Sequence, residues 1–150
     1  MNVLKQLLSN HALVSVAVAW FTAQFAKGIQ GIFKEKSIKG IRRIVANGGM
    51  PSSHASSVCS LCASAALAYG FSSFQFAVAA LIALVVMNDA FGVRYETGKH
   101  SKVLKRLLKE SDVDMDVELK VAVGHTPLQV VVGAVLGVAV SVALKYLFYV

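Results

Sequence analysis

The chain has 150 residues, of which 56% are hydrophobic and only 15% are charged, and its mean hydropathy is +0.63. The length fits a single domain over residues 1–150, and the composition is unusual for a water-soluble globule. The net charge of +7 does not indicate nucleic-acid binding, because the basic residues lie between apolar segments and lack interleaved aromatic residues. We therefore expect a membrane-embedded domain without a nucleic-acid partner.

Four apolar segments have about the length that an α-helix needs to cross a bilayer, roughly 20 residues. They lie near residues 12–33, 53–70, 71–91 and 127–148. We predict an all-α integral-membrane bundle of about four transmembrane helices. The second segment is rich in serine and alanine, which is typical of a tightly packed inner helix. Its Cys59 and Cys62 are interpreted as buried small residues, since the chain has no second cysteine pair.

Two clusters of basic residues follow the first and the third apolar segments. With four spans both clusters lie on one side of the membrane, which the positive-inside rule assigns to the cytoplasm. We expect a multi-pass protein of the cell membrane, with cytoplasmic basic loops and both termini on the opposite face. The clusters are Lys34, Lys36, Lys39, Arg42 and Arg43, and Arg94, Lys99, Lys102, Lys105, Arg106 and Lys109.

Residues 101–110 predict a short amphipathic helix. Val103, Leu104, Leu107 and Leu108 fall on one helical face, and basic residues occupy the other. Such a helix would lie at the membrane interface with its basic face toward anionic headgroups.

The segment from Gly48 to His54 stands at the start of the second apolar segment. Pro51 suits the first turn of a helix, and the hydroxyls of Ser52 and Ser53 can accept hydrogen bonds from free amides there. A helix N-terminus attracts phosphate through its unpaired N–H groups and its dipole. The segment is interpreted either as a capped helix start with an interfacial histidine or as an anion site.

The last apolar segment also begins beside a histidine. Thr126 is the expected N-cap of this helix, and Pro127 suits its first turn. Chain direction puts both helix starts on the same side, so we expect His54 and His125 to converge on one site. Two histidines beside basic residues suggest phosphoryl transfer, in which one imidazole attacks phosphorus and the other protonates the leaving oxygen.

A stripe of small and polar residues follows this helix start. Gln129, Gly133, Gly137 and Ser141 recur at every fourth position, and the two glycines have GxxxG spacing. The stripe favours a packing face over a ligand groove. The contact would lie within the protein or between protomers, and a homo-oligomer through the Gly133/Gly137 face is one expectation.

These motifs resemble those of the type-2 phosphatidic acid phosphatase superfamily, which also contains vanadium haloperoxidases. Pro-Ser-Ser-His at 51–54 is similar to its Pro-Ser-Gly-His motif, and residues 125–133 are similar to the end of its third motif. A divergent branch, described as acid phosphatase or vanadium-dependent haloperoxidase related, is matched more closely. The motifs that carry this match are Gly-Gly-Met-Pro-Ser-Ser-His at 48–54, Asn-Asp-Ala-Phe-Gly-Val-Arg at 88–94 and Gly-His-Thr-Pro at 124–127.

The resemblance implies roles for several residues, without a metal or a cofactor. His125 stands where the superfamily has its phosphate-attacking histidine, and His54 stands where it has the general acid. Lys36 and Arg43 fit the phosphate-binding cations of the first motif, although Ile44 replaces the proline that normally follows. The phosphate-binding residues of the second motif would include Ser52 and Ser53.

Two further positions depart from the superfamily pattern. Gln129 replaces the aspartate that orients the nucleophilic histidine, and Leu119 replaces a phosphate-binding arginine, for which Arg94 is the candidate substitute. Asp89 is the only acidic residue in a predicted span, and it either supplies the missing charge or pairs with Arg94 or Lys27. Lys27 either binds phosphate or snorkels to the headgroups.

Together these features predict a membrane phosphatase that hydrolyses a lipid or prenyl phosphate or diphosphate through a phosphohistidine. Haloperoxidase activity is not expected, because nothing in the sequence specifically indicates peroxide chemistry. The departures at Ile44, Leu119 and Gln129 motivate an alternative, a catalytically degenerate protein that binds or moves anionic lipids. A structural membrane subunit that uses the GxxxG face is a third interpretation.

Overall fold

The structure, a computed structural model, describes residues 2–45, 49–110 and 124–149. These ranges are helical and contain no strand, so the predicted all-α class is confirmed. The helices are α1 (Val3–Ser9), α2 (His11–Glu35), a 3-10 helix (Ile38–Val45), α3 (Ser53–Tyr69), α4 (Phe74–Asn88), a π-helical turn (Asp89–Val93), α5 (Arg94–Glu110) and α6 (Pro127–Phe148).

Three helical stretches of the described chain are long and apolar enough to cross a membrane, namely α2, Phe74–Leu108 and α6. Large apolar side chains such as Phe21, Leu81 and Val135 are exposed on these helices, as expected for lipid contact. The protein is therefore a membrane helical bundle. Helix α3 has only 17 residues and falls outside this set, so the count of four transmembrane helices stays a prediction.

Helices α2, α3 and α6 meet along rows of small residues spaced four apart. Residues four apart lie on one helix face, so such rows let backbones approach closely. The row on α3 is fully buried and begins at its N-cap. The rows, which are interrupted by the larger Lys27 on α2 and begin with the larger Gln129 on α6, are Ser15, Ala19, Ala23, Lys27 and Gly31 on α2, Ser52, Ser56, Ser60 and Ser64 on α3, and Gln129, Gly133, Gly137 and Ser141 on α6.

The glycines of the α6 row are required by this contact. A Cβ atom added at Gly133 would overlap the Ser52 carbonyl oxygen, and one added at Gly137 would overlap the Ser56 carbonyl oxygen. The stripe therefore packs within the protein, one of the two arrangements that the sequence left open. The homo-oligomer stays a prediction, and it would need a face other than the one that α3 occupies.

The amphipathic segment at 101–110 is the second half of α5, which continues from α4 through the π-helical turn. Val103, Leu104 and Leu107 expose their side chains on α5. The helix is longer than the sequence pattern predicts, because the π-helical turn absorbs the change from apolar to charged sequence without ending the helix. Whether α5 lies at the interface stays a prediction.

Candidate functional site

The starts of α3 and α6 are joined to each other. Ser52 caps α3 by accepting a hydrogen bond from the Ala55 amide, and Thr126 caps α6 in a capping box with Gln129. The Ser52 amide donates a hydrogen bond of 3.0 Å to the Gln129 carbonyl oxygen. Two positive helix ends consequently lie side by side on one end of the bundle.

The two histidines of these helix starts face each other. The ring centroids of His54 and His125 are 6.3 Å apart, and their planes make an angle of 65°. His54 is exposed, whereas His125 is only 4% exposed. The His125 amide donates to the Ala90 carbonyl oxygen at 3.1 Å, which ties the α6 start to the π-helical turn. One histidine therefore meets solvent and the other is held inside the bundle.

Gln129 determines which ring nitrogen of His125 carries the proton. Its Oε1 accepts the Thr126 amide at 3.1 Å and lies 3.3 Å from His125 Nδ1. Because a backbone N–H can only donate, the Gln129 atom facing Thr126 must be the carbonyl oxygen, and Nδ1 must donate to the same oxygen. The neutral His125 ring then keeps its lone pair on Nε2, away from Gln129.

The surroundings of His125 favour this neutral form. Burial lowers the pKa of His125 below its ordinary value, and the hydrogen bond to Gln129 opposes that effect. The positive charge of Lys27 and the neighbouring His54 ring lower the pKa further, while a hydrogen bond with the Gly49 backbone raises it. A neutral imidazole has one unprotonated ring nitrogen, and that nitrogen can act as a nucleophile.

Lys27 places a buried positive charge beside the histidine pair. The residue is 4% exposed, and its Nζ donates to Ser53 Oγ at 3.2 Å and to Gln24 Oε1 at 2.9 Å. Its ammonium group therefore points into the bundle and not toward lipid headgroups. Gln24 was missed by the sequence analysis, although its spacing of three residues from Lys27 places the two on one helix face.

Asp89 and Arg94 form an ion pair at the edge of the site. Arg94 Nε lies 2.6 Å from Asp89 Oδ2, and both side chains are about half exposed. Residues five apart align in a π-helical turn, whereas they diverge in an α-helix, so the π-helical turn is what brings this pair together. Both charges act on His54 electrostatically. The structure thus shows the ion pair with Arg94, within electrostatic reach of the exposed histidine.

The cations assigned to the first motif are not brought to the histidines. Lys36 is exposed at the end of α2, with a φ of 46°, and lies about 13 Å along the helix axis from Lys27. Among the described residues no contact joins Lys36 to His54 or His125. The Arg43 side chain, Gly48 and Leu119 lie outside the described part of the chain. Lys27 is the lysine that lies beside the histidines.

The arrangement suits an anion with several oxygens. Two helix N-termini, one ammonium group and two imidazoles can satisfy the charge of a phosphate group from different directions. The His125 lone pair could attack such a group, and the exposed His54 could exchange protons with it or with water. Ser52 and Ser53 are both buried at this helix start, where Ser52 Oγ serves as the cap and Ser53 Oγ accepts from Lys27.

Comparison with known proteins gives the same family as the motifs. Residues 8–140 match the divergent PAP2 family. YuiD of Bacillus subtilis (strain 168), described as an uncharacterized membrane protein, is 33% identical over 158 residues, covering 95% of this chain and 99% of that protein. No solved structure matches the chain. The resemblance to the divergent branch of the phosphatidic acid phosphatase superfamily is therefore confirmed, and the chain belongs to the divergent PAP2 family.

Proposed function

We propose that this membrane protein is a phosphatase that hydrolyses a lipid or isoprenoid phosphate or diphosphate through a phosphohistidine. The observation that carries the proposal is the 6.3 Å separation of the His54 and His125 rings at two joined helix starts, beside the buried ammonium group of Lys27. Membership of the divergent PAP2 family supports a membrane function related to that superfamily.

In the first step the substrate phosphate occupies the space between the two imidazoles. Nε2 of neutral His125 forms a bond to phosphorus while the bond from phosphorus to the ester oxygen breaks. Protonated His54 gives its proton to that oxygen, so the leaving group departs as an alcohol or, from a diphosphate, as a monophosphate. Lys27 and the helix N-termini stabilise the charge on the remaining phosphate oxygens.

In the second step water hydrolyses the phosphohistidine. Neutral His54 accepts a proton from the attacking water as the new bond to phosphorus forms and the bond to Nε2 breaks. The exposed position of His54 suits this exchange with water. Release of inorganic phosphate returns His125 to its neutral form and His54 to its protonated form.

Gln129 orients His125 but has no charge. Its Oε1 holds Nδ1 as the donor, which selects the tautomer that the first step needs. A carboxylate would also stabilise the positively charged ring that forms on phosphorylation, and an amide does so less strongly. We infer a slower first step than a carboxylate would allow, partly offset because the phosphate itself brings negative charge to the ring.

The membrane orientation is part of the proposal. The ends of α2 and α4 and the starts of α3 and α6 lie on the same side, and the basic residues follow α2 and α4. The positive-inside rule then puts the histidine pair on the cytoplasmic side of the cell membrane. Cysteine labelling of Lys39→Cys in intact cells tests this, since a reagent that does not cross the membrane should leave it unmodified.

Phosphate release from a panel of lipid and prenyl phosphates tests the activity. Purified wild-type protein in lipid nanodiscs should release phosphate, and His125→Ala should abolish the release. Quenching in alkaline denaturant, in which the P–N bond of a phosphohistidine is stable, with a ³²P-labelled substrate should trap label on wild type but not on His125→Ala. If wild-type protein traps no label and releases no phosphate from any substrate of the panel, the proposal is contradicted.

A second candidate function is binding or movement of anionic lipids without hydrolysis. The neutral Gln129 beside His125 favours it, as does the pairing of Asp89 with Arg94, which leaves that carboxylate already engaged. Lipid that copurifies with intact phosphate, is lost in Lys27→Met and is never hydrolysed would support this function over the phosphatase.

A further inference from the structure

An apolar groove runs along the bundle between α3, α4 and α6. Its volume is about 490 Å³, within the range of small-molecule sites. Its floor is made of small residues, which include Cys62 and Ala66 of α3 and Ala80 and Ala83 of α4. The groove is therefore a recess in the membrane-facing surface.

The near end of the groove adjoins the histidine site. Met87 lines the groove, stands two residues before Asp89, and packs against the buried cluster that contains Ala90. The Ala90 carbonyl oxygen accepts the amide of His125. Cys59, which also lines the groove, has its Sγ 3.7 Å from Met87 Sδ. Along α3, Cys59 stands five residues after His54, about 7.5 Å at the helical rise, so the groove begins close to the histidine site.

The far end of the groove is marked by an aromatic pair. Phe71 and Phe76 both line it, and their rings pack edge to face with centroids 5.1 Å apart. Along α3 the lining runs from Cys59 to Leu67, about 12 Å at the helical rise. The groove has a defined length between Met87 and these rings.

We propose that this groove holds the hydrocarbon chain of the phosphorylated substrate and that Phe71 and Phe76 limit the length of the chain. The inference rests on the proposed function for its polar end, since it places the phosphate between the histidines. A polar, cationic site that continues into an apolar recess complements a molecule with an anionic head and one apolar tail.

The groove would select substrates by how well the hydrocarbon chain packs against its walls. A hydrocarbon chain in the bilayer is already in apolar surroundings, so moving it into the groove gives little hydrophobic gain. Contacts with the groove walls favour chains that fill it, because a void leaves wall atoms without partners. A chain that is too long must displace the rings of Phe71 and Phe76 or leave the groove. Turnover should therefore depend on chain length.

A second recess provides a comparison within the same bundle. It has a volume of about 330 Å³ and is lined by residues that include Ala12, Tyr69, Phe74 and Ile82. Ile82 is its lining residue on α4 nearest to the histidine site, and it stands about 10 Å along the helix axis from Asp89. This recess does not reach the histidines, which makes Phe74 a matched control for Phe76.

The test is the hydrolysis of straight-chain alkyl phosphates of increasing length by protein in nanodiscs. Wild type should show a rise and then a fall of kcat/KM with chain length. Phe76→Ala should move the optimum to longer chains, and Ala66→Leu should move it to shorter ones, with changes of about tenfold for the disfavoured chains. Phe74→Ala should leave the optimum in place.

Binding of non-hydrolysable alkyl phosphonates, measured by calorimetry, separates this inference from the proposed function. If wild type hydrolyses nothing but phosphonate affinity shows the same shifts with Phe76→Ala and Ala66→Leu, the groove is supported and the phosphatase is not. If phosphate is released but neither variant changes the dependence on chain length, the groove proposal is overturned. A shift with Phe74→Ala instead would assign the chain to the second recess.

Discussion

Both ends of the bundle place a histidine at the start of a helix, but they surround it differently. His11 begins α2, with its Nε2 3.0 Å from the Ser141 carbonyl oxygen and its ring edge-on to Tyr149 at 5.1 Å. At the other end His54 and His125 face each other beside Lys27. The histidine at the first end joins two helices, and the two histidines at the other end lie beside a buried ammonium group.

The comparison shows why a histidine at a helix start is insufficient evidence for a site. His11 uses its ring nitrogen to bind backbone and is packed by a C-terminal tyrosine, whose hydroxyl donates to the Leu8 carbonyl oxygen at 2.6 Å. Such contacts are those of a residue that stabilises the fold. His125 instead keeps one ring nitrogen as a lone-pair donor, because Gln129 engages the other.

Removing the proposed nucleophile should give the largest difference between the two ends. His125→Ala should lower phosphate release by more than about 10⁴-fold, as expected when a nucleophile is lost. His11→Ala, at the opposite end, should retain activity close to that of wild type after correction for the amount of folded protein. Phosphate release and phosphohistidine trapping measure both variants. Equal losses in the two variants would assign His125 a structural role like that of His11.

Removing the proposed general acid should have a smaller effect that depends on the leaving group. His54→Ala should lower kcat/KM for an alkyl phosphate by about 10²–10⁴-fold. For p-nitrophenyl phosphate the loss in the first step should be much smaller, since that leaving group departs without a proton. The same loss for both substrates would show that His54 does not protonate the leaving oxygen.

Removing the buried ammonium group should weaken the binding of the transition state. Lys27→Met keeps the length of the side chain and should lower kcat/KM by about 10²-fold, through the loss of one charged donor to phosphate oxygens. Lys145→Met, in the last turn of α6 at the His11 end, is the matched control and should change little. Inhibition by vanadate should weaken in parallel with Lys27→Met. Unchanged inhibition would mean that Lys27 serves only Ser53 and Gln24.

Overpacking the contact between α3 and α6 should lower the stability of the whole bundle. Gly137→Ala places a Cβ atom on the Ser56 carbonyl oxygen, and such overpacking costs about 1–3 kcal/mol. The thermal unfolding midpoint in detergent should fall, while Val135→Ala, at a lipid-exposed position of the same helix, should change it less. If Gly137→Ala is as stable as wild type, the close contact of these helices is not as described.

The sequence anticipated those features that depend on local pattern or chain direction. Apolar segments of spanning length predicted the helices, and the shared direction of α3 and α6 predicted that His54 and His125 would meet.

The small-residue row on α2 was missed, because apolar residues on its other faces hide a spacing of four. Lys27 could not be preferred to Lys36 from the sequence, since its position at the site depends on how deeply α2 packs against α3. The sequence left the partner of Asp89 open between Arg94 and Lys27, and no residue pattern indicated the π-helical turn that selects Arg94.

Restoring a carboxylate at position 129 should give the smallest effect, and one that shows in pH dependence. Because burial lowers the pKa of His125, its neutral form persists below the ordinary value of about 6.5. The acid limb of kcat/KM should therefore lie below that pH, with activity lost as the pH falls through the lowered pKa. Gln129→Glu should raise this pKa and move the acid limb upward by about one pH unit or less, because a carboxylate favours the protonated ring.

The exchange of amide for carboxylate keeps the local structure, since glutamate also serves at this position of a capping box. At alkaline pH the variant should be faster than wild type, as the carboxylate stabilises the ring when it becomes positively charged. Gln75→Glu, at the start of α4 on the opposite end, should leave the profile unchanged. An acid limb that stays in place would mean that Gln129 holds the helix start and not the His125 ring, which would make His125 more like His11.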